Sequence, residues 1–226
     1  MTRKDEIRNA YKTAGKVHSF YDGMMLGTTV SGRLISKIVW NMTPEEEAEY
    51  PAWIFGAIPA DYSGKILEVP VGTGVLSMPV FSTLKKADIT CLDYSEKMME
   101  SAKARAAEMK IDNAAFIQGD VGHLPFEDES FDTVVSLNGF HAFPDKEAAY
   151  AETYRVLKKG GMFTGCFYVE RIGKRTDFFL QGLYTKAGFF TPPFETLTSL
   201  ERRLQNMYSS VEVSHVRSIG MFRCIK

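Results

Sequence analysis

The run Ile66-Leu-Glu-Val-Pro-Val-Gly-Thr-Gly74 limits the fold more than any other part of the chain. Ile66, Leu67, Val69 and Val71 favour extended backbone, and Gly72 and Gly74 permit positive φ and close backbone approach. Val75 to Leu84 then continues with helical spacing. A strand feeding a glycine turn and a helix is the opening unit of an open α/β sheet. In such sheets ligands meet the carboxyl ends of the strands, where backbone N–H groups are bare.

Glycine turns of this kind also mark nicotinamide sites and ordinary turns, so the neighbours decide. Ser77 stands where a third glycine of Gly-x-Gly-x-x-Gly would be, no Gly-x-x-x-x-Gly-Lys-Ser/Thr run exists, and Glu68 lies four residues ahead of Gly72. That acid repels a pyrophosphate and attracts a cation, which points to a zwitterion bearing an amino group and a sulfonium, S-adenosylmethionine.

The 226 residues, 45% of them hydrophobic, suffice for one large domain with a full core. A net charge of −1 gives no global field for nucleic acid or an anionic membrane, so a small molecule is the expected partner. Cys91, Cys166 and Cys224 lie in apolar runs without metal-ligand spacing and read as buried thiols of a cytoplasmic protein. No signal peptide and no membrane-spanning run is expected, and nothing fixes an oligomeric state.

Residues 1 to 60 read as a helical cap. Within it Thr43-Pro-Glu-Glu-Glu47 predicts a capped helix through Phe55, and His18-Ser-Phe-Tyr-Asp-Gly23 collects polar and aromatic groups. Residues 61 to 170 form the core. Its second strand ends on Asp93, about twenty residues beyond the glycines, as a ribose-binding carboxylate does. Ser95 caps a helix whose inner face is Met98, Met99, Ala102 and Ala106. Strands 114–118 and 131–137 follow, the latter running into Asn138-Gly-Phe-His141. A helix from Asp145 to Leu157 closes at Lys158-Lys-Gly-Gly161, and Met162 to Val169 makes the fifth strand. Residues 171 to 195 open with basic residues and carry Phe178, Phe179, Tyr184, Phe189, Phe190 and Phe194. They read equally as a lid and as an insertion that completes the core. Thr198-Ser-Leu-Glu201 predicts a last capped helix, and 211–216 and 218–225 a closing antiparallel pair, within residues 196 to 226.

This pattern resembles the class I S-adenosylmethionine-dependent methyltransferases, and its motifs resemble their small-molecule branch typified by ubiquinone/menaquinone biosynthesis methyltransferases. The residues that carry the resemblance are 66–74, Leu-Asp-Tyr-Ser at 92–95, Gly-Asp at 119–120, Leu-Pro-Phe-Glu-Asp-Glu-Ser-Phe-Asp at 124–132 and Arg-Val-Leu-Lys-Lys-Gly-Gly at 155–161. It implies a Rossmann-like mixed sheet of seven strands, five parallel plus the antiparallel pair, with helices on both faces. It also implies that Glu68 and the backbone of Gly72, Thr73 and Gly74 hold the methionine part of S-adenosylmethionine, with Asn138 beside them. Asp93 falls to the ribose, Asp120 and Val121 to the adenine, Tyr94 also to the cofactor, and Tyr21 closes over the cofactor from the cap. Pro70 departs from the family's glycine and removes one backbone donor.

The expected reaction is methyl transfer to oxygen or carbon of a small, largely apolar acceptor, leaving S-adenosylhomocysteine and requiring no metal. His141 is the best-placed general base and His18 the next, although a structural histidine at 141 is as good a reading. Two rival functions stand beside this one. A nicotinamide-dependent oxidoreductase lacks its third glycine and leaves Glu68 without a role. A non-catalytic cofactor-binding protein of the same fold leaves the retained acids unexplained.

Overall fold

Strand β1 (Lys65–Glu68) is an interior strand of the sheet and explains the rest of the architecture. Ile66 faces one helical layer and Leu67 the other, both without solvent exposure, so the strand must be covered on both sides. Deleting the Leu67 side chain to Ala would cost about 2–5 kcal/mol, the range for a filled core position. A computed structural model of the chain describes Leu34 and residues 36 to 226. His18 and Tyr21, and with them most of the expected cap, lie outside the described residues.

β2 (Asp88–Asp93), β3 (Ala114–Gln118), β4 (Phe131–Leu137), β5 (Leu157–Tyr168), β6 (Ser210–Val216) and β7 (Ile219–Ile225) complete a single sheet in the order β3-β2-β1-β4-β5-β7-β6. β1 to β5 run parallel, and β7 lies antiparallel between β5 and β6. This is the expected Rossmann-like mixed sheet. The chain leaves β1 towards β2 on one side and returns to β4 on the other, so strand order reverses between β1 and β4. A crevice opens there at the carboxyl ends.

The helices are α1 (Pro44–Phe55), α2 (Met78–Phe81), α3 (Glu96–Glu108), α4 (Lys146–Val156), α5 (Lys174–Phe179) and α6 (Leu197–Met207). Two wide π turns, Ser36–Trp40 and Leu180–Tyr184, lie before α1 and directly after α5. Residues of α1, α2 and α3 pack one face of the sheet, and residues of α4 and α6 the other. The Thr43 capping box forms as expected: Thr43 Oγ1 accepts the Glu46 N–H at 3.3 Å, and the Glu46 carboxylate takes the Thr43 N–H at 2.9 Å. Ser95 likewise caps α3, with Met98, Met99, Ala102 and Ala106 buried.

Three local expectations are corrected. The helix expected over 75 to 84 shrinks to α2, because Pro79 in its first turn has no N–H to bond a carbonyl one turn earlier. The last helix is capped by Thr196, not Thr198: Thr196 Oγ1 accepts the Ser199 N–H at 3.0 Å, and Ser199 Oγ accepts the Thr196 N–H at 2.8 Å. A serine thus does the work usually given to Glu or Gln, and Leu200 and Leu204 are buried on one face. Finally, Lys158 to Gly161 does not end a helix. β5 already starts at Leu157, Lys158 pairs with Asp132 at 2.7 Å, and the Gly160 N–H bonds the Lys226 carbonyl at 2.9 Å.

Candidate functional site

The carboxyl ends of β1, β2 and β4, with the loop after β3, enclose one cleft. Its lining includes Glu68, the glycine turn 72–74, Asp93 and Tyr94. Asp120, Val121 and Asn138 complete the set read from the sequence. Tyr21 is the one expected cofactor contact outside the described residues.

The glycine turn is built for backbone exposure. Gly72 and Gly74 have φ of 56° and 68°, a region that side chains with a Cβ rarely adopt. A Cβ on Gly72 would meet nothing within 4 Å, whereas one on Gly74 would stand 2.7 Å from Met78 Cγ. The first glycine therefore leaves its space to the cleft, and the second lets the turn press onto α2. Pro70 does not disrupt the approach, because Val69 and Val71 on either side still donate, to the Val135 and Leu92 carbonyls, each at 2.9 Å.

Two buried carboxylates face this turn. Asp93 Oδ2 accepts the Gly72 N–H and Oδ1 the Ser95 N–H, both at 2.8 Å. Burial nevertheless raises Asp93 to about 6, the backbone donors offsetting part of the desolvation. Glu68 sits in register with Cys91 of β2 and Val135 of β4. Burial lifts it well above the usual carboxylate range, and the Asp93 charge adds to the effect. The Ser77 hydroxyl lies near enough to oppose that shift but makes no hydrogen bond of normal geometry. Cys91 Sγ, at 4.0 Å, is a weak partner. A ligand offering a cation to Glu68 and hydroxyls to Asp93 would satisfy what the protein leaves incompletely satisfied, so the residues fit S-adenosylmethionine.

A family model described as a methyltransferase domain matches residues 66–161, the span from β1 into β5. Over that span, which is less than half of the chain, the core is similar to a methyltransferase domain. The chain is 43% identical over 102 residues to the demethylmenaquinone methyltransferase of Staphylococcus aureus (strain MRSA252), covering 43% of this chain and 40% of that protein. It is 38% identical over 99 residues to the phosphatidylethanolamine N-methyltransferase of Cereibacter sphaeroides, covering 43% of this chain and 47% of that protein. The chain thus spans less than half the length of these curated relatives. A solved structure from Thermotoga maritima, titled a SAM-dependent methyltransferase and possible histamine N-methyltransferase, superposes with a TM-score of 0.63 over 89% of this chain and 98% of that one. At 19% identity that likeness concerns the fold.

Outside this cleft, His141 and the insertion form a unit of their own. His141 is buried and does not line the cleft, although its neighbours Ala142, Phe143 and Pro144 do. Its ring stacks on Phe190 with centroids 4.1 Å apart, and Nδ1 accepts the Tyr168 N–H at 3.2 Å. Burial, with Lys146 nearby, lowers it to about 3, so the ring is neutral at physiological pH. Thr191 completes the attachment: its N–H bonds the His141 carbonyl and its Oγ1 the Ala142 carbonyl, each at 2.8 Å. Leu180 and Phe190, with Tyr168 and Val39, make a small separate core. None of residues 171 to 195 lines the cleft among the described residues, and the aromatics expected to roof it pack on one another. His123 lies in the loop after β3 and His215 on the edge strand β6.

Sequence reasoning missed three parts of the candidate site. Arg105, near the end of α3, donates from Nε to the Thr73 carbonyl at 3.2 Å and tethers the glycine turn from behind. Its position about two turns beyond the helix's buried methionines gave no sign of this. Phe143 lines the cleft together with Asn138, which takes a φ of 54° as its N–H bonds the Cys166 carbonyl at 2.7 Å. Gly139 is small for a reason: a Cβ there would stand 2.4 Å from Pro70 Cδ and 2.6 Å from Phe143 Cζ. The glycine missing at 70 and the glycine present at 139 are one steric arrangement.

Proposed function

We propose that this chain transfers the methyl group of S-adenosylmethionine to oxygen or carbon of a small, largely apolar acceptor. The observation that carries the proposal is the single cleft in which Glu68, Gly72, Asp93, Asp120 and Asn138 converge from four strand ends. When bound, the cofactor supplies a methyl group on a positively charged sulfur. In this proposal Glu68 ionises against the amino group, and Gly72 to Gly74 offer backbone to the methionine part, beside Asn138. Asp93 holds the ribose hydroxyls with Tyr94 at its side, and Asp120 and Val121 frame the adenine. The chain's further tasks are to align the acceptor behind the methyl and to keep water out, because the transfer neutralises charge.

The acceptor reading draws on two supports. The cleft wall beyond Asn138 is apolar, formed by Leu137, Ala142, Phe143 and Pro144. Two curated relatives are named for methyl transfer to a demethylmenaquinone and to a phosphatidylethanolamine. His141 takes no part as a base here. Its neutral ring is held by Tyr168 and Phe190, away from the cleft lining, and acts as a pin between β5 and the insertion. A base, where the acceptor needs one, is left to His18.

Calorimetry with S-adenosylmethionine, S-adenosylhomocysteine and NAD, followed by a screen of phenols, quinols and small acids with methyl-labelled cofactor, tests the proposal. Saturable binding of the first two ligands and label transfer to a small acceptor are expected. Micromolar NAD binding without a response to S-adenosylmethionine would overturn it.

A further inference from the structure

The described residues expose six large apolar side chains substantially, and five fall on two touching segments. Leu34 and Ile38 belong to or precede the Ser36–Trp40 turn; Ile172, Phe178 and Leu183 belong to α5 and its margins. Phe178 is 76% exposed and Leu183 66%. Scattered exposed apolar residues are ordinary, but a cluster of them is not. The segments are fastened together, since Arg175 donates to the Lys37 carbonyl at 2.8 Å and Thr176 Oγ1 to the Val39 carbonyl at 2.8 Å. The exposed apolar residues therefore share one rigid platform.

Cations surround them. Lys37, Arg171, Lys174, Arg175 and Lys186 are all exposed on these segments, and the one acid among 171–188, Asp177, is committed to the Tyr168 hydroxyl at 2.6 Å and the Arg171 N–H at 3.0 Å. Lys37, Lys174 and Lys186 have no acidic partner among the described residues. The chain's net charge of −1 conceals this local excess. We propose that α5, the Leu180–Tyr184 turn and the Ser36–Trp40 turn form a docking surface for an anionic lipid bilayer, with Phe178 and Leu183 entering the interface and the lysines meeting headgroups. Exposed Phe and Leu beside Lys and Arg are the composition of an interfacial helix.

The charge argues against other occupants. A second copy applied face to face would set the same cations against themselves. Residues 1 to 33 carry Arg3, Lys4, Arg8, Lys12, Lys16 and Arg33 against Asp5, Glu6 and Asp22, which is the same sign. α5 leaves the carboxyl end of β5, the sheet edge on which the cofactor cleft opens, so a docked protein would turn that edge towards the bilayer. In consequence the acceptor would be a lipid-dissolved molecule, an extension that rests on the methyl-transfer reading; the docking itself does not.

The test is sedimentation of the full chain with vesicles of phosphatidylcholine alone or with about one anionic phosphatidylglycerol in three. Wild type should sediment with the anionic vesicles only. Phe178→Ser with Leu183→Ser, and separately Lys174→Glu with Lys186→Glu, should each lower the bound fraction at least about tenfold. Both variants should keep wild-type affinity for S-adenosylmethionine, which separates failure of the surface from failure of the cleft. The proposal is overturned if wild type ignores anionic vesicles, if neither variant matters, or if the protein binds duplex DNA or RNA in their place. A wild-type dimer on size exclusion that the variants dissociate would overturn it too.

Discussion

The Asp93 carboxylate accepts the Gly72 amide at 2.8 Å, tying the end of β2 to the glycine turn after β1. The acid assigned by resemblance to the ribose is thus also a brace for the turn, and its second oxygen holds the Ser95 N–H at the start of α3. One side chain fixes three elements of the cleft. Burial opposes its ionisation more strongly than these donors favour it, which leaves a carboxylate near 6 that gains from any further donor.

That value gives the first prediction a sign. Between pH 4 and 6 the folded protein holds a proton on Asp93 that the unfolded chain has released, so this group's contribution to stability is present below pH 4 and lost as pH rises to 6. The loss amounts to roughly 3 kcal/mol without cofactor. Asp93→Asn should flatten that part of the urea-midpoint profile. It should also weaken S-adenosylmethionine binding by about 1.5–3 kcal/mol, the scale for bonds to a charged group. Unchanged affinity in Asp93→Asn would remove the ribose assignment.

His141 predicts the opposite slope. With its folded value lowered to about 3, the unfolded chain binds the extra proton below its ordinary value of 6.5. The neutral ring's contribution is therefore present above 6.5 and lost as pH falls towards 3, at about 1.4 kcal/mol per pH unit. His141→Phe should remove this acid sensitivity, at a cost of about 1–3 kcal/mol for leaving the Tyr168 N–H without its acceptor. Turnover of that variant should follow wild type in its pH dependence. A histidine-like ionisation in kcat that disappears in His141→Phe would restore His141 as the base.

What could be read from the sequence followed periodicity and local chemistry. β1 to β4 alternate or run apolar over clear lengths, and Thr43 and Ser95 announce their helices, so the sheet and the cleft's position were legible. Long-range choices were not. Nothing local shows that Tyr168 will offer its N–H to His141, or that Thr191 will bond back to the strand end at 141 and 142, and a lid and a self-contained aromatic core have the same composition. Pro79 shows the reverse failure: a local stop signal was present, and the apolar spacing around it was given more weight.

Arg105 provides a prediction about positioning. Its Nε–H holds the Thr73 carbonyl at 3.2 Å, so removing it frees the turn between Gly72 and Gly74 without touching the cleft floor. Arg105→Met keeps the aliphatic packing and should weaken S-adenosylmethionine binding by about 1.5–3 kcal/mol, while Arg105→Lys, a single donor on a flexible stem, recovers only part. Calorimetry on the three proteins checks this. If Arg105→Met binds like wild type, the tether is incidental.

The last prediction concerns Pro70 and Gly139, whose atoms exclude a Cβ at 139 by standing only 2.4 Å from its ideal position. Gly139→Ala must push either Pro70 Cδ or the Phe143 ring, also at 2.6 Å, and both line the cleft. Overpacking of this kind costs about 1–3 kcal/mol, and here it should reach binding as well as stability. Pro70→Gly removes the closer obstacle but frees the unfolded chain, at about 0.4–1 kcal/mol. The two changes are therefore coupled: the double variant should be more stable than the sum of the single losses by roughly 0.5–3 kcal/mol. Urea unfolding of the four proteins in the cycle measures that coupling. Strict additivity would mean that Phe143, not Pro70, absorbs the added methyl, and Phe143→Leu in the Gly139→Ala background should then recover the loss.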